Sequence, residues 1–273
     1  MMMVENKVQF HGRFAVPLEI YTERPVEVFI DQFTFRKIPQ GAIRIIILEE
    51  PLRENNISLV RDYPDLYDYV FTYQQDILDT NPKAIHFRDA ELWVSRGYDV
   101  GVERRFAIST VVGGKRDRRM YGYELRHNLW RNKELITIPK EFYLSDSNKF
   151  DEADYSTNTV LLGSKDKMFD VMFHIAIENC SIKNYYSEKL LDCIETKTVP
   201  IYYGCTNIEN YFNPAGMFRV NSLDAIVDVC NQLTPEVYER MKPYLEDNKE
   251  RIKGLPNYMG QLKDKIVNLL KTL

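Results

Sequence analysis

Two Rossmann-like α/β domains are the fold that this sequence predicts. Length is the first reason: 273 residues is too long for one small module and suits two domains of roughly 100–150 residues. Patterning is the second, because short apolar runs recur between stretches of loop or helix length, the rhythm of an open α/β sheet. Composition is the third. Hydrophobic residues make up 44% of the chain, enough for packed cores, and there is no internal repeat or low-complexity tract.

In the first third, Val28-Phe29-Ile30, Ile43 to Leu48, Tyr69-Val70-Phe71 and Ala84-Ile85-His86-Phe87 read as buried strands. Residues 95–105 are polar, carry Gly97 and Gly101, and read as a domain linker. The second half restarts the pattern. Phe106 to Val112 is a strand, followed by Gly113-Gly114 and the basic run Lys115-Arg116-Asp117-Arg118-Arg119. A helix follows from about Tyr121 to Asn132, with Leu125 and Leu129 one turn apart. Leu135 to Ile138 reads as a strand, and Tyr143 to Asn158 as a polar loop. Phe173 to Ile177 is a strand and Ser187 to Glu195 a helix with Ser187 at its N-cap. Val199 to Tyr203 is a strand closed by Gly204. Phe218 to Val220 is a short strand, Leu223 to Leu233 a helix, and Pro235 starts the next helix. From Tyr258 to Leu273 the chain reads as an amphipathic helix with Leu262, Ile266, Leu269 and Leu270 on one side. The expected organisation is an N-terminal domain over 1–100, a C-terminal domain over 101–255, and a final helix over 256–273 that packs back on the first domain. Such sheets bind ligands at the carboxyl ends of their strands, so the ligand is expected in the cleft between the domains.

Bulk properties exclude several classes. No apolar run approaches the roughly 20 residues of a membrane span, and Met1 to Lys7 lacks the apolar core of a signal peptide. A soluble, cytoplasmic protein is expected. Cys180, Cys193, Cys205 and Cys230 form no CxxC pair, so reduced thiols are expected rather than a disulfide framework or a zinc site. With 36 basic and 40 acidic residues the net charge is −4, which does not suit a nucleic-acid partner. An anionic ligand must therefore be met by a few placed cations. The 18 Tyr and 14 Phe suit a sugar-binding cleft, and core filling accounts for many of them.

Asp151-Glu152-Ala153-Asp154 resembles a helicase box by chance, because no phosphate loop of the GxxxxGK[ST] type accompanies it. No D-x-D pair occurs, which points to a site needing no metal, where Arg, Lys and helix N-termini meet the charge of a diphosphate. Lys115 to Arg119 has that character, lying after a strand and two glycines and before a helix. A solvated charge run is its competing reading. Arg126, seven residues after Arg119, is placed on the same helix face.

The densest segment runs from Phe173 to Phe212. Its first strand ends in Glu178-Asn179. Tyr185-Tyr186-Ser187-Glu188-Lys189 opens a helix, where Glu188 can accept hydrogen bonds from ribose hydroxyls and Lys189 can neutralise a phosphate. A second strand ends at Gly204, where backbone can approach a ligand closely. Singly, these residues read as caps and surface ion pairs; together, at strand ends, they favour function.

Phe173 to Asn179, Tyr185 to Asp192 and Thr198 to Gly204, continued by Asn207 to Pro214, resemble the donor-binding signature of the α1,3-fucosyltransferase family. The match is dense over roughly 40 residues, and weaker upstream at Phe106 to Val112, Arg119 and Tyr123. It departs from the family at Asn184-Tyr185-Tyr186-Ser187 and at Tyr203, where the family usually has Trp. The resemblance implies a GT-B glycosyltransferase, inverting and metal-independent, with no cofactor beyond its GDP- or UDP-linked sugar donor. It implies donor binding by Glu188 at the ribose and by Lys189 and Arg119 at the diphosphate; Lys115, Glu178, Asn179, Tyr186, Ser187 and Gly204 are the further donor-binding candidates. It also implies a general base at Glu50, with Glu49 the alternative, after the strand Ile45 to Leu48. The expected partners are a nucleotide sugar and an oligosaccharide or glycoprotein glycan acceptor, with domain closure excluding water. Family members lacking the eukaryotic anchor occur in bacteria and large DNA viruses. Two alternatives stand: the same fold with a UDP-sugar donor, as in a xylosyltransferase, and a non-catalytic glycan-binding protein on a degenerate transferase fold.

Overall fold

The computed structural model describes residues 6–12, 16–31, 38–51, 54–88, 90–99 and 101–273. The first five residues, read above as lacking a leader's apolar core, lie outside the described residues, as does Val100 of the 95–105 stretch. The chain divides into two compact units, Met1–Asp89 with Leu255–Leu273, and Ala90–Gly254.

In the first unit, β1 (Asn6–Lys7) pairs antiparallel with β3 (Tyr21–Thr22). The main sheet joins β2 (Gln9–His11), β4 (Val26–Ile30), β5 (Ile43–Leu48), β6 (Tyr69–Thr72) and β7 (Ala84–His86), all parallel and in chain order. Helix α1 (Glu54–Asp62) lies between β5 and β6, and α2 (Gln75–Thr80) between β6 and β7. Right-handed crossovers in a sheet laid out in chain order put the connecting helices on one face. That face holds Phe29, Ile46, Leu48 and Val70 with Ile57 and Val60 of α1. The opposite face, with Val28, Ile30, Ile45, Ile47 and Phe71, needs separate cover. The C-terminal helix (Tyr258–Leu270) supplies it, through Tyr258, Leu262 and Ile266 at helical spacing. Cover on both faces is why Ile43 to Leu48 is apolar without alternation.

The second unit contains β8 (Arg105–Val112), α3 (Tyr121–Arg131), β9 (Lys140–Ser145), β10 (Val160–Leu161), β11 (Val171–Ile177), α4 (Glu188–Glu195), β12 (Val199–Tyr203), β13 (Phe218–Arg219), α5 (Leu223–Cys230) and α6 (Pro235–Ile252). Its six parallel strands run in the order β10-β9-β8-β11-β12-β13. Strand order therefore reverses between β8 and β11. In a doubly wound sheet, ligands bind outside the carboxyl ends of the strands at that reversal. α3, α5 and α6 cover one face, with Leu125, Leu129, Ile226, Tyr238 and Leu245 packed on Ile108, Phe173, Ile175 and Ile201.

Three readings are revised. The expected strand at Leu135 to Ile138 is instead a 3-10 turn (Lys133–Leu135), and the strand comes at Lys140–Ser145. Leu135 is 53% exposed, and Pro139 separates the apolar run from the strand. Ile108 pairs with Lys140, its N–H reaching the Pro139 carbonyl at 2.9 Å. The true strand carries Lys140 and Glu141, which hid it. Tyr143 to Ser145, read as loop, belong to it. Residues 95–105 lie in the second unit and are anchored there. Ser95 bonds Asp166, the Gly97 N–H donates to Glu195 at 2.8 Å, Asp99 pairs with Lys197 and Lys249, and Arg104 donates to the Phe169 and Thr196 carbonyls. All four cysteines are buried free thiols. Among the described residues, no helix is long and apolar enough to cross a membrane.

Candidate functional site

Beyond its last residue, β11 continues into Glu178, held by a bond from its N–H to the Tyr203 carbonyl at 2.8 Å. The Glu178 side chain is fully buried. A buried carboxylate needs donors, and Ser187 provides two: its N–H donates to Oε1 at 2.7 Å and its hydroxyl to Oε2 at 2.6 Å. Ser187 is also the N-cap of α4, its Oγ accepting from the Lys189 N–H at 3.3 Å. Glu178 thus fastens the start of α4 to the end of β11.

Glu188 and Lys189 open the helix. Lys189 Nζ lies 2.8 Å from Glu188 Oε1 and 3.8 Å from Glu178 Oε2. Burial opposes the Glu188 charge, but Lys189 and Lys165 outweigh it and hold its pKa down at about 2. For Lys189 burial again opposes charge, and Glu188 and Glu178 outweigh it, so its pKa is raised. The helix entry therefore presents a fixed carboxylate beside a fixed ammonium, with the helix N-terminus adding positive potential. Tyr186 stands just before, packed on Tyr211 and Phe212 with ring centroids 5.0 and 5.4 Å away.

The other strand ends converge locally. Gly204 follows β12, and a Cβ there would meet the Tyr202 hydroxyl and lie 2.5 Å from Glu178 Cγ, so only glycine lets this turn close over Glu178. Asn179 accepts from Arg126 Nη2 at 2.9 Å through Oδ1, and its carbonyl accepts from the Gly122 N–H at 3.0 Å. A Cβ on Gly122 would collide with the Glu178 carbonyl, so glycine also lets α3 abut the end of β11.

Arg126 does not share a face with Arg119. Arg119 precedes α3, whereas Arg126 is buried within it, donating to the Ile177 carbonyl at 2.5 Å with its guanidinium 4.8 Å from the Tyr123 ring centroid. Arg119 is exposed and forked onto Asp117, with Nε to Oδ1 at 3.0 Å and Nη2 to Oδ2 at 2.7 Å. That pair pulls the Asp117 pKa down to about 2. Lys115 is exposed in the same loop after β8.

In the first unit, Glu49 and Glu50 follow β5. Asp31 follows β4 with φ of 45° and accepts the Glu49 N–H on Oδ1 at 3.0 Å and the Glu50 N–H on Oδ2 at 2.9 Å. The Tyr258 hydroxyl donates to the Glu49 carboxylate. Glu49 is part-buried and engaged, and Glu50 is exposed.

Sequence reasoning passed over Lys165 and Trp93, and gave no role to Asp192, the last residue of the Tyr185 to Asp192 match. Asp192 stands one turn after Glu188, a spacing that signals a shared helix face. Lys165 sits in a polar stretch with no such signal.

An all-parallel sheet with its order reversal, and charged residues gathered at the carboxyl ends of its strands, is a doubly wound α/β arrangement, and the fold is like that of the GT-B glycosyltransferases. More narrowly, residues 151–246 match the model of glycosyltransferase family 10 (fucosyltransferase) C-term. An α-(1,4)-fucosyltransferase of Arabidopsis thaliana is 38% identical over 42 residues, 15% of this chain and 10% of that protein's length. Among solved structures, an α1,3-fucosyltransferase with GDP-fucose aligns with a TM-score of 0.53 and 15% identity, over 82% of this chain and 69% of that one. TarM aligns with a TM-score of 0.53 and 11% identity, over 90% and 54%. The pneumococcal O-GlcNAc transferase GtfA, in complex with UDP and GlcNAc, aligns with a TM-score of 0.50 and 12% identity, over 90% and 56%. These structural likenesses are of fold.

Proposed function

We propose that the chain is an inverting glycosyltransferase that moves a sugar, fucose as the first candidate, from a nucleoside-diphosphate donor to a hydroxyl of an oligosaccharide or glycoprotein glycan, with no required metal. One observation carries this reading. Glu188 and Lys189 stand as a fixed charge pair at the start of α4, braced by Glu178 beside the strand-order reversal. Glu188 accepts hydrogen bonds from ribose hydroxyls, and Lys189 binds the diphosphate. Arg119, with Lys115, meets the remaining phosphate charge once the anion displaces Asp117. Glu50 takes the proton of the acceptor hydroxyl as that oxygen attacks the anomeric carbon. The bond to the leaving diphosphate breaks on the opposite side, and Lys189 and Arg119 stabilise the charge that develops there. Between the two candidate bases, Glu50 is preferred because Tyr258 occupies Glu49.

Calorimetric titration with GDP and with UDP in the presence of EDTA tests the donor half. GDP binding without UDP binding supports the fucose-type reading. UDP binding alone transfers it to a UDP-sugar such as UDP-xylose, and glycan binding with no affinity for either nucleotide points to a non-catalytic protein. For the chemical half, Glu50→Gln is expected to lower kcat by about 10²- to 10⁴-fold with donor affinity unchanged, while Glu49→Gln has a smaller effect.

A further inference from the structure

Behind Glu188 lies a cluster that the proposed reaction does not use. Lys165 Nζ stands 3.9 Å from Glu188 Oε1 and 3.9 Å from Asp192 Oδ2. Both distances are too long for hydrogen bonds, so the attraction is between charges. The ammonium also lies 4.0 Å from the ring centroid of Trp93, a cation–π distance. The Trp93 main chain is held, since Asp192 Oδ1 accepts the backbone N–H of Trp93 at 2.8 Å and of Val94 at 3.2 Å. Side-chain exposure is 17% for Lys165, 12% for Glu188 and 1% for Asp192. A lysine this deep, with a ring on one side and carboxylates on two others, has little freedom.

We propose that Lys165 is a positioning residue of the donor site: it holds the Glu188 carboxylate in place for the nucleotide, while Trp93 and Asp192 hold Lys165 itself. The inference rests on the donor reading above. Glu188 faces Lys189, Lys165, Arg126, Asp192 and the Ser187 hydroxyl. Lys165 faces Glu188, Asp192, Lys189 and the Cys193 thiol. Burial lowers the Lys165 pKa, and the two carboxylates act against it. Burial raises Asp192 to about 7, with Lys165 only partly offsetting it. Asp192 Oδ2 has no hydrogen-bond partner, which leaves it free to carry that proton.

The test is binding of GDP, with UDP in parallel, to the full chain as wild type, Lys165→Met, Lys165→Arg and Glu188→Gln, between about pH 4 and pH 8. Taking each variant's Kd relative to wild type cancels the nucleotide's own phosphate titration. Lys165→Met is expected to weaken binding about tenfold near neutrality, and by a growing factor as the pH falls below about 5, because Glu188 then takes up a proton sooner. Lys165→Arg is expected to restore most of the affinity. Three results overturn the proposal. In the first, Lys165→Met binds like wild type throughout while Glu188→Gln is weakened. In the second, Lys165→Met is weakened by a factor independent of pH with no rescue by arginine, the mark of a merely structural lysine. In the third, Glu188→Gln binds like wild type, which also removes the donor role given to Glu188.

Discussion

At the residue scale, burial separates carboxylates that look alike in the sequence. Glu178 is spent on Ser187 and never meets solvent, whereas Glu188 keeps a partly open face beside Lys189. Glu178→Gln leaves one of the two Ser187 donors facing an amide N–H₂, and is expected to destabilise the second unit by about 1–3 kcal/mol in urea unfolding. Asp117 competes with any anion for Arg119, so Asp117→Asn is expected to tighten GDP binding in calorimetry. pH acts oppositely on Glu188 and Asp192. The Glu188 pKa falls from 4.5 to about 2 on folding, so its stabilisation is complete above 4.5 and is lost as pH falls through 2. The Asp192 pKa rises from 3.8 to about 7, so its contribution is complete below 3.8 and is lost as pH rises through 7. Asp192→Asn is therefore expected to lose less stability than wild type between about pH 4 and pH 8, measured by urea unfolding at both ends.

At the scale of elements, the apolar strands were legible because parallel strands covered on both faces announce themselves as runs such as Ile43 to Leu48. Ser187 was legible as a cap from its place before Glu188. β9 was not, because it opens on the charged pair Lys140-Glu141 and only then runs through Phe142, Tyr143 and Leu144. Nor was the brace at Glu178: a carboxylate after a strand looks the same whether it serves a ligand or a neighbouring serine. Arg126 was misplaced for a related reason, since helical spacing gives its angle but not where the helix begins. The C-terminal helix has a role that its pattern suggested, covering the sheet face that the crossovers leave bare. Leu262 is fully buried there, and Leu262→Ala is expected to cost about 2–5 kcal/mol in chemical denaturation.

At the scale of the whole molecule, the two units reach their sheets differently. The first lays its strands in chain order and closes its core with a segment from the far end of the chain. The second winds both ways from β8 and β11, and the parallel pair β11 and β12 with α4 between them puts Glu178, Glu188, Lys189 and Gly204 on one edge. The motif from Phe173 to Phe212 gave away this edge because its residues cluster within a single β-α-β unit. Lys165 and Trp93 escaped notice because they approach from outside it. The central claim is that this edge grips a nucleoside diphosphate through Glu188 and Lys189. Calorimetry of GDP and UDP on wild type and Lys189→Met tests it directly. The account predicts binding of one nucleotide by the wild type and at least a tenfold loss in the variant, about 1.4 kcal/mol. Equal affinity in the two proteins, or no binding of either nucleotide by the wild type, would contradict it.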